Sequence, residues 1–469
     1  MELPRTVVGQ GGVAVLGQVL TGLGGVGKTQ LAAEYARRAW DTGEVEVLVW
    51  VTASNRTAIT DAYAQAGEEL CGADPGNPDR AASRFLAWLH AQRNRWLIVL
   101  DDLAEPADIR GLWPPDVPHG RTLVTTRRRD TALFSDGRHM VPVGVFTPDQ
   151  AMSYLTATLP RHGNAATDAE LGLLAEELGY LPLALSQAAA YLTDQGMGVG
   201  AYRRLLADRA GTLADSVPQS DSLPDDQGLT LAALWSLSVD RADQLRPVGL
   251  ARRMLQLTAM LDPNGIPQRL LTGPPALAHL GGNRAGRGTP VTPAEALGAL
   301  RALHRMSLID HKSDGPLPAV HVHQLVQRAT RDDLAVRDRD KAAVAAADAL
   351  AAIWPDIERE VDLTKALRAN AGTVIAHAGT ALYAKGVHDL LFLLGRSLDE
   401  AGQLQAAIDH LSAMLDTATI HLGPDHPDTL IARNNLARMR GEAGDPAAAA
   451  EATADLLTDG LRVLGPDHP

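Results

Sequence analysis

A chain of 469 residues, 45% hydrophobic and 21% charged, has the composition of a soluble globular protein and, at roughly 100 to 200 residues per domain, the length for three or four of them. Its net charge of -13 repels a polyphosphate backbone and so weighs against nucleic-acid binding by the molecule as a whole. The single cysteine, Cys71, excludes an internal disulfide and a cysteine-based metal cluster and suits a reducing cytoplasm, while no run of about 18 apolar residues offers a membrane span.

From the N-terminus, apolar β-branched runs alternate with helical stretches: residues 13–20, 45–51, 96–100 and 122–125, with 140–145 a weaker fifth. Near-continuous apolar strands separated by helices predict a parallel sheet covered on both faces, so residues 1–147 read as an α/β domain. The run 13–20 has the look of a signal-peptide core. Cleavage behind it would destroy the segment that follows, and the chain is therefore expected in the cytoplasm.

That segment is Gly22-Leu23-Gly24-Gly25-Val26-Gly27-Lys28-Thr29, two glycines five apart followed by Lys and Thr, after an apolar strand and before a helical run that opens with Gln30. The pattern is that of a phosphate loop. Glycines let backbone N–H groups curl around a β-phosphate at a helix N-terminus, Lys28 reaches the β- and γ-phosphates, and the Thr29 hydroxyl holds Mg²⁺. The bland alternative is a glycine-rich turn that binds nothing.

The run Trp96-Leu97-Ile98-Val99-Leu100-Asp101-Asp102 is an apolar strand ending in two acids, where strand ends of an open α/β sheet face the ligand crevice. Asp101 is expected to orient a water of the Mg²⁺ shell and Asp102 to polarise an attacking water. Arg127 follows the next strand at the same sheet edge, placed to sense a γ-phosphate through bidentate hydrogen bonds. A solvated basic turn is its alternative, since Arg128 and Arg129 come next.

Helical periodicity takes over at Pro148, and residues 148–225 read as a helical bundle that closes on a polar, proline- and aspartate-bearing stretch. Residues 226–340 hold helices broken by Gly/Pro-rich loops and end in two short apolar runs, 308–312 and 319–323, expected as a hairpin. Helices followed by a two-stranded wing predict a winged-helix domain.

Residues 341–469 are helical almost throughout and contain a repeat. Leu422-Gly423-Pro424-Asp425-His426-Pro427 recurs at 464–469 and Glu400-Ala401-Gly402 recurs at 442–444, both 42 residues apart. Two landmarks with one period predict an array of helix pairs that bury their faces only against their neighbours. The sequence stops at Pro469 as a further unit is about to begin, so the array is expected to be truncated.

Taken together, the phosphate loop, the Leu-Asp-Asp strand, Thr125-Thr126-Arg127, Gly179-Tyr180-Leu181-Pro182-Leu183-Ala184 and Val322-His323-Gln324-Leu325 resemble the NB-ARC branch of the STAND signal-transduction ATPases over about residues 10–335. The repeats resemble the long tetratricopeptide type of kinesin light chains. The resemblance implies that Pro182 lies against the adenine side of the nucleotide and that His323 contacts the ADP β-phosphate, although Val322 and Gln324 replace the family's Met and Asp beside it. An adenine-contacting Gly-Arg segment is expected before the first strand. Met1 to Gly12 offers only Val7-Val8-Gly9-Gln10, so that contact is expected to be missing, and with it an N-terminal effector domain.

The resemblance further implies a switch held inactive with ADP, reopened by ATP after the repeats sense a protein or peptide ligand, self-associating in the ATP state and reset by slow hydrolysis. Two other classes stay open at this point. One is a DNA-binding transcription regulator using the winged helix, since residues 241–340 carry a surplus of five positive charges. The other is a P-loop kinase with a repeat scaffold.

Overall fold

The structure, a computed structural model, describes residues 17–21, 25–74, 76–128, 133, 138–159, 166–216, 227–282, 290–313 and 317–444, with 450, 453, 454 and 459. Gly22 and Gly24, the residues before Gly17, the polar stretch after Ser216, and the second copy of the hexapeptide lie outside them. The chain divides into two compact units, one of Met1–Gln244, Leu303–Leu308 and His323–Leu325, the other of Leu245–Ala302, Ile309–Val322 and Val326–Pro469.

The first unit is built on a five-stranded sheet, β1 (Gly17–Thr21), β2 (Val47–Thr52), β3 (Trp96–Leu103), β4 (Gly120–Thr126) and β5 (His139–Pro142), in the order β2-β3-β4-β1-β5. All four pairings are parallel, as apolar strands alternating with helices require. β3 extends past the apolar run that signals it in sequence, carrying both aspartates in the strand. Residues 143–145, expected in the fifth strand, fall outside β5.

Helix α1 (Lys28–Asp41) leaves the phosphate loop and buries Ala32, Ala36 and Ala39, a stripe of small residues at helical spacing that permits close approach to the sheet. Helices α2 (Arg56–Cys71) and α3 (Pro78–Ala91) are started by Asn55 and Asn77, whose side chains accept from Ala58 N and Arg80 N. Together they cover the sheet with Ile59, Tyr63, Phe85 and Leu89, all fully buried beside Val51, Ile98 and Leu100. Burying each such side chain contributes about 1.5–3 kcal/mol. Gly120 is needed where β4 begins opposite Trp96, because a Cβ there would lie 2.1 Å from the indole ring.

Helices α4 (Pro148–Thr158), α5 (Asp168–Glu177), α6 (Pro182–Gln195), α7 (Val199–Ser216) and α8 (Gln227–Gln244) complete this unit. Thr147 with Gln150 and Thr167 with Glu170 form reciprocal capping boxes that fix the starts of α4 and α5. On α6, the carboxylate of Asp194 is 1% exposed and pairs with Arg241 of α8 at 2.6 Å and with Arg305. The Gln187 amide of the same helix donates to the Ser307 carbonyl at 3.2 Å. These contacts tie segment 303–308 to the first unit.

In the second unit, helices α9 (Ala251–Thr258), α10 (Gln268–Leu271), α11 (Pro274–Gly281) and α12 (Pro293–Arg305) up to Ala302 accompany an antiparallel sheet of β6 (Ile266–Pro267), β7 (Ile309–Lys312) and β8 (Ala319–Val322), ordered β6-β8-β7. The expected hairpin is β7–β8, paired from Ile309 opposite Val322 to Lys312 opposite Ala319. β6, two residues long and containing a proline, had no strand signal. Helices α13 (Gln324–Asp332), α14 (Val336–Ile353), α15 (Val361–Ala378), α16 (Asp389–Glu400), α17 (Leu404–Leu422) and α18 (Pro427–Glu442) follow.

The repeated landmarks fall at equivalent turns. Gly402 (φ 71) and Gly444 (φ 104) sit just past the ends of α16 and α18, and Gly423 (φ 92) ends α17. All three occupy the left-handed region that glycine enters without strain. His426 caps α18 by accepting from Asp428 N at 3.2 Å, with Pro427 at the first helical position. No helix among the described residues is long and apolar enough to cross a membrane.

Candidate functional site

The site lies at the carboxyl edge of the first unit's sheet, where β1, β3 and β4 end. Gly25 and Gly27 have φ of 82° and 89°, left-handed backbone that curls the chain into α1. Lys28, the first residue of that helix, is 9% exposed and Val26 5%. Burial, with the Arg127 guanidinium nearby, pushes the Lys28 ammonium down to about 8 against the pull of Asp102 and Asp101. Thr29 and Gln30 are exposed in the first turn of α1.

At the end of β3, Asp101 is 6% exposed, and its Oδ1 accepts from Thr29 Oγ1 at 2.9 Å and from Thr125 Oγ1 at 2.6 Å. Burial pushes its carboxyl above the ordinary carboxylate range in spite of these two bonds. The Asp102 N–H donates to the same Thr125 hydroxyl at 2.8 Å, and Asp102 has φ 56°, a strained conformation for a residue with a side chain. Arg127, one residue beyond β4, is exposed at this edge.

The helical bundle reaches the same place. Pro182 opens α6, and its neighbours flank the phosphate loop: Leu183 N donates to the Gly25 carbonyl at 3.3 Å. A Cβ on Gly25 would lie 3.3 Å from Leu183 Cβ, 3.4 Å from Leu181 Cδ1 and 3.5 Å from Leu325 Cδ1. A side chain has little room there and a bare backbone fits.

His323 differs from expectation in two ways. It lies one residue past β8 instead of within a strand, and segment His323–Leu325 belongs to the first compact unit. Its Nδ1 accepts from Leu325 N at 3.2 Å, which caps α13 and assigns the ring proton to Nε2. Burial, with Arg127 and Lys28 adding repulsion, pushes the imidazole down to about 4, so at neutral pH it is an uncharged donor. His321, its neighbour on β8, has its pKa lowered chiefly by burial.

In sequence Gln324 is only a departure from the family pattern, yet its Nε2 donates to Asp102 Oδ2. Thr125, quoted as part of a motif, is the hydroxyl that ties the two aspartates together. The residues brought to one edge are therefore Gly25, Val26, Gly27, Lys28, Thr29, Asp101, Asp102, Arg127 and His323, with Pro182 beside Gly25's packing partners.

The donor set suits a polyphosphate: backbone at two glycines, a buried ammonium, and a neutral imidazole N–H. Among the described residues no group of three or more His, Cys, Asp or Glu side chains could hold a metal ion by itself. A hydroxyl and a carboxylate 2.9 Å apart are instead what Mg²⁺ takes when waters and phosphate oxygens supply its other ligands.

The lowered Lys28 value gives a signed expectation. Near pH 8 the free chain holds this amine half neutral, and a polyphosphate restores its charge, so binding takes up a proton. Affinity for ADP is expected to fall between pH 7 and 9.5. Calorimetry at pH 8.5 in two buffers of different ionisation enthalpy is expected to show uptake; proton release would contradict the assignment.

Residues 8–161 match the NB-ARC domain family, residues 242–339 a domain of unknown function (DUF7779), and residues 387–457 the tetratricopeptide repeat family. A nucleotide-binding leucine-rich repeat (NLR)-like protein of Hyaloscypha variabilis is 26% identical over 455 residues, 88% of this chain and 42% of the relative. The regulatory protein AfsR of Streptomyces griseus is 32% identical over 195 residues, 40% of this chain and 19% of the relative. The chain thus spans less than half the length of these curated relatives. The crystal structure of a STAND protein with a tetratricopeptide repeat sensor, from Pyrococcus horikoshii, aligns over 99% of this chain and 66% of its own, with TM-score 0.53 and 14% identity. Residues 8–161 are thus an NB-ARC domain and residues 387–457 tetratricopeptide repeat, joined in one chain that has the fold of a STAND protein.

Proposed function

We propose that this chain is an ATP/ADP-dependent signalling switch that binds Mg²⁺-nucleotide at the edge of the parallel sheet. In this reading the backbone around Gly25–Lys28 cradles the phosphates, the Lys28 ammonium pairs with the β- and γ-phosphates, and Thr29 with Asp101 holds Mg²⁺. When bound there, the ion would supply positive charge against the phosphate oxygens. Asp102 takes a proton from the attacking water in a slow hydrolysis that resets the switch, and Arg127 senses the γ-phosphate. Pro182 lies on the adenine side.

The observation that carries the reading is the neutral, half-buried His323 with its Nε2–H in the electrostatic field of Lys28 and Arg127. An uncharged imidazole N–H that feels two cations beside a glycine loop suits an anion, and a diphosphate that engages it favours the arrangement in which segment 323–325 is docked. Only after the repeats have sensed a ligand does ATP favour release of that segment and self-association. The repeats sense a protein or peptide, as the names of a STAND protein with a tetratricopeptide repeat sensor and of an NLR-like relative suggest by similarity.

Denaturing the purified chain and chromatographing what it releases is expected to yield ADP. The His323→Ala variant is expected to exchange labelled ADP about tenfold faster, the scale of one hydrogen bond to a charged group. Absence of nucleotide with no measurable ADP affinity would overturn the reading.

A further inference from the structure

Asp102 and Gln324 are 222 residues apart in sequence, and the Gln324 amide nonetheless donates to Asp102 Oδ2. Both side chains leave an anchored backbone. The Asp102 backbone is held at φ 56° with its N–H on Thr125 Oγ1 at 2.8 Å, which fixes where the carboxylate emerges. Gln324 opens α13, whose start is capped by His323 Nδ1 on Leu325 N at 3.2 Å. The next residue, Leu325, lies against Gly25 of the phosphate loop. Three consecutive residues thus fasten to the phosphate loop, to the acid beside it and to the field of Lys28 and Arg127.

A carboxylate acting as general base needs an open lone pair within reach of the water it deprotonates. The Gln324 carboxamide NH₂ occupies a lone pair of Asp102 Oδ2 and is a donor that takes up no proton. We propose that Gln324 is a positioning residue acting through Asp102, a latch that keeps this carboxylate from accepting a proton from water while segment 323–325 is docked. Hydrolysis proceeds when the segment leaves. This rests on the reading of the site as a nucleotide hydrolase given above.

The test uses the full chain with Mg²⁺-ATP and four variants. Gln324→Leu removes the donor, Gln324→Glu is isosteric and places a second carboxylate against the first, Gln324→Arg keeps a donor, and Asp102→Asn is combined with Gln324→Leu. The leucine and glutamate variants are expected to raise kcat about tenfold, the scale of one hydrogen bond to a charged group, with KM unchanged and ADP affinity lowered by at most the same factor, since ADP favours the docked segment. Gln324→Arg is expected to stay at or below the wild-type rate, and Asp102→Asn to abolish the gain.

A second readout needs no nucleotide. In the free chain, hydrogen exchange of the Leu325 amide is expected to speed up about tenfold in the leucine and glutamate variants, since the segment has lost one anchor. The glutamate variant keeps the test standing if the leucine one does not fold. A kcat at or below wild type in the folded donor-free variants overturns the latch, and so does faster exchange with unchanged turnover, which would make the contact structural. A wild type that binds no nucleotide overturns the hydrolase reading with it, whereas bound ADP with unchanged turnover overturns the latch alone.

Discussion

Replacing Lys28 with alanine is expected to weaken ADP binding by about two to three orders of magnitude, corresponding to about 3–4 kcal/mol for loss of a desolvated charged partner. The size follows from the surroundings. Lys28 is 9% exposed, and burial together with Arg127 already holds its pKa near 8, so the chain tolerates a destabilised cation that a phosphate would stabilise. Alanine is a good helix former at the first position of α1, and the variant is expected to fold with little change in melting temperature. Titration with a fluorescent ADP measures the loss. Lys28→Arg separates charge from shape: a guanidinium stays charged but is larger and planar, and its binding is expected to lie between the two. A folded Lys28→Ala chain that binds ADP within a few-fold of wild type would remove this residue from the site.

The second large effect concerns stability. Asp194→Ala is expected to lower the stability of the first unit by about 3 kcal/mol, because removing the buried carboxylate leaves the partly buried Arg241 guanidinium without its counter-charge. The Asp194 side chain is 1% exposed, and Arg241, its partner at 2.6 Å, is 24% exposed; Arg305, paired through the other oxygen, is 61% exposed. Water relieves Arg305 and much less of Arg241, which keeps the expected loss near the lower end of the range for buried pairs. Chemical denaturation followed by circular dichroism checks it, and a loss under about 1 kcal/mol would show that solvent already screens the triad. The consequence reaches the site as well. The same helix, α6, begins at Pro182 and presents Leu183 N to Gly25, so loosening its far end is expected to speed ADP release too.

Local chemistry was legible in the sequence. The strands β1, β3 and β4 announced themselves because a strand buried within a parallel sheet is apolar throughout, and β2 because its run of Val, Leu and Trp has the same character. The phosphate loop and the Asp101-Asp102 pair were legible because contiguous residues make them: glycines at left-handed backbone, a lysine opening a helix, acids where an apolar strand runs out. The repeat was equally visible, since identical turns need identical residues, and Gly402 and Gly444 lie just past the ends of α16 and α18, 42 residues apart. Two features resisted. β6 is a pair of residues, Ile266–Pro267, too short for any period and unsuited by its proline to look like a strand. β5 ends at Pro142, where the apolar run continues to Val145.

What sequence did not determine is which distant groups meet at the sheet edge. Nothing in Val322-His323-Gln324-Leu325 tells a capping histidine from a ligand, and in the fold His323 caps α13 through one ring nitrogen while the other stays available. Nothing links Gln324 to Asp102 across 222 residues, or marks Thr125 as the hydroxyl shared by both aspartates. The sequence by itself determined the parallel sheet, the phosphate loop and the helical repeat, because periodicity and backbone conformation are short-range properties. The tertiary structure alone decided that segment 323–325 belongs with the first unit and that its amide rests on Asp102, because side-chain pairing across a fold is set by packing and leaves no local pattern.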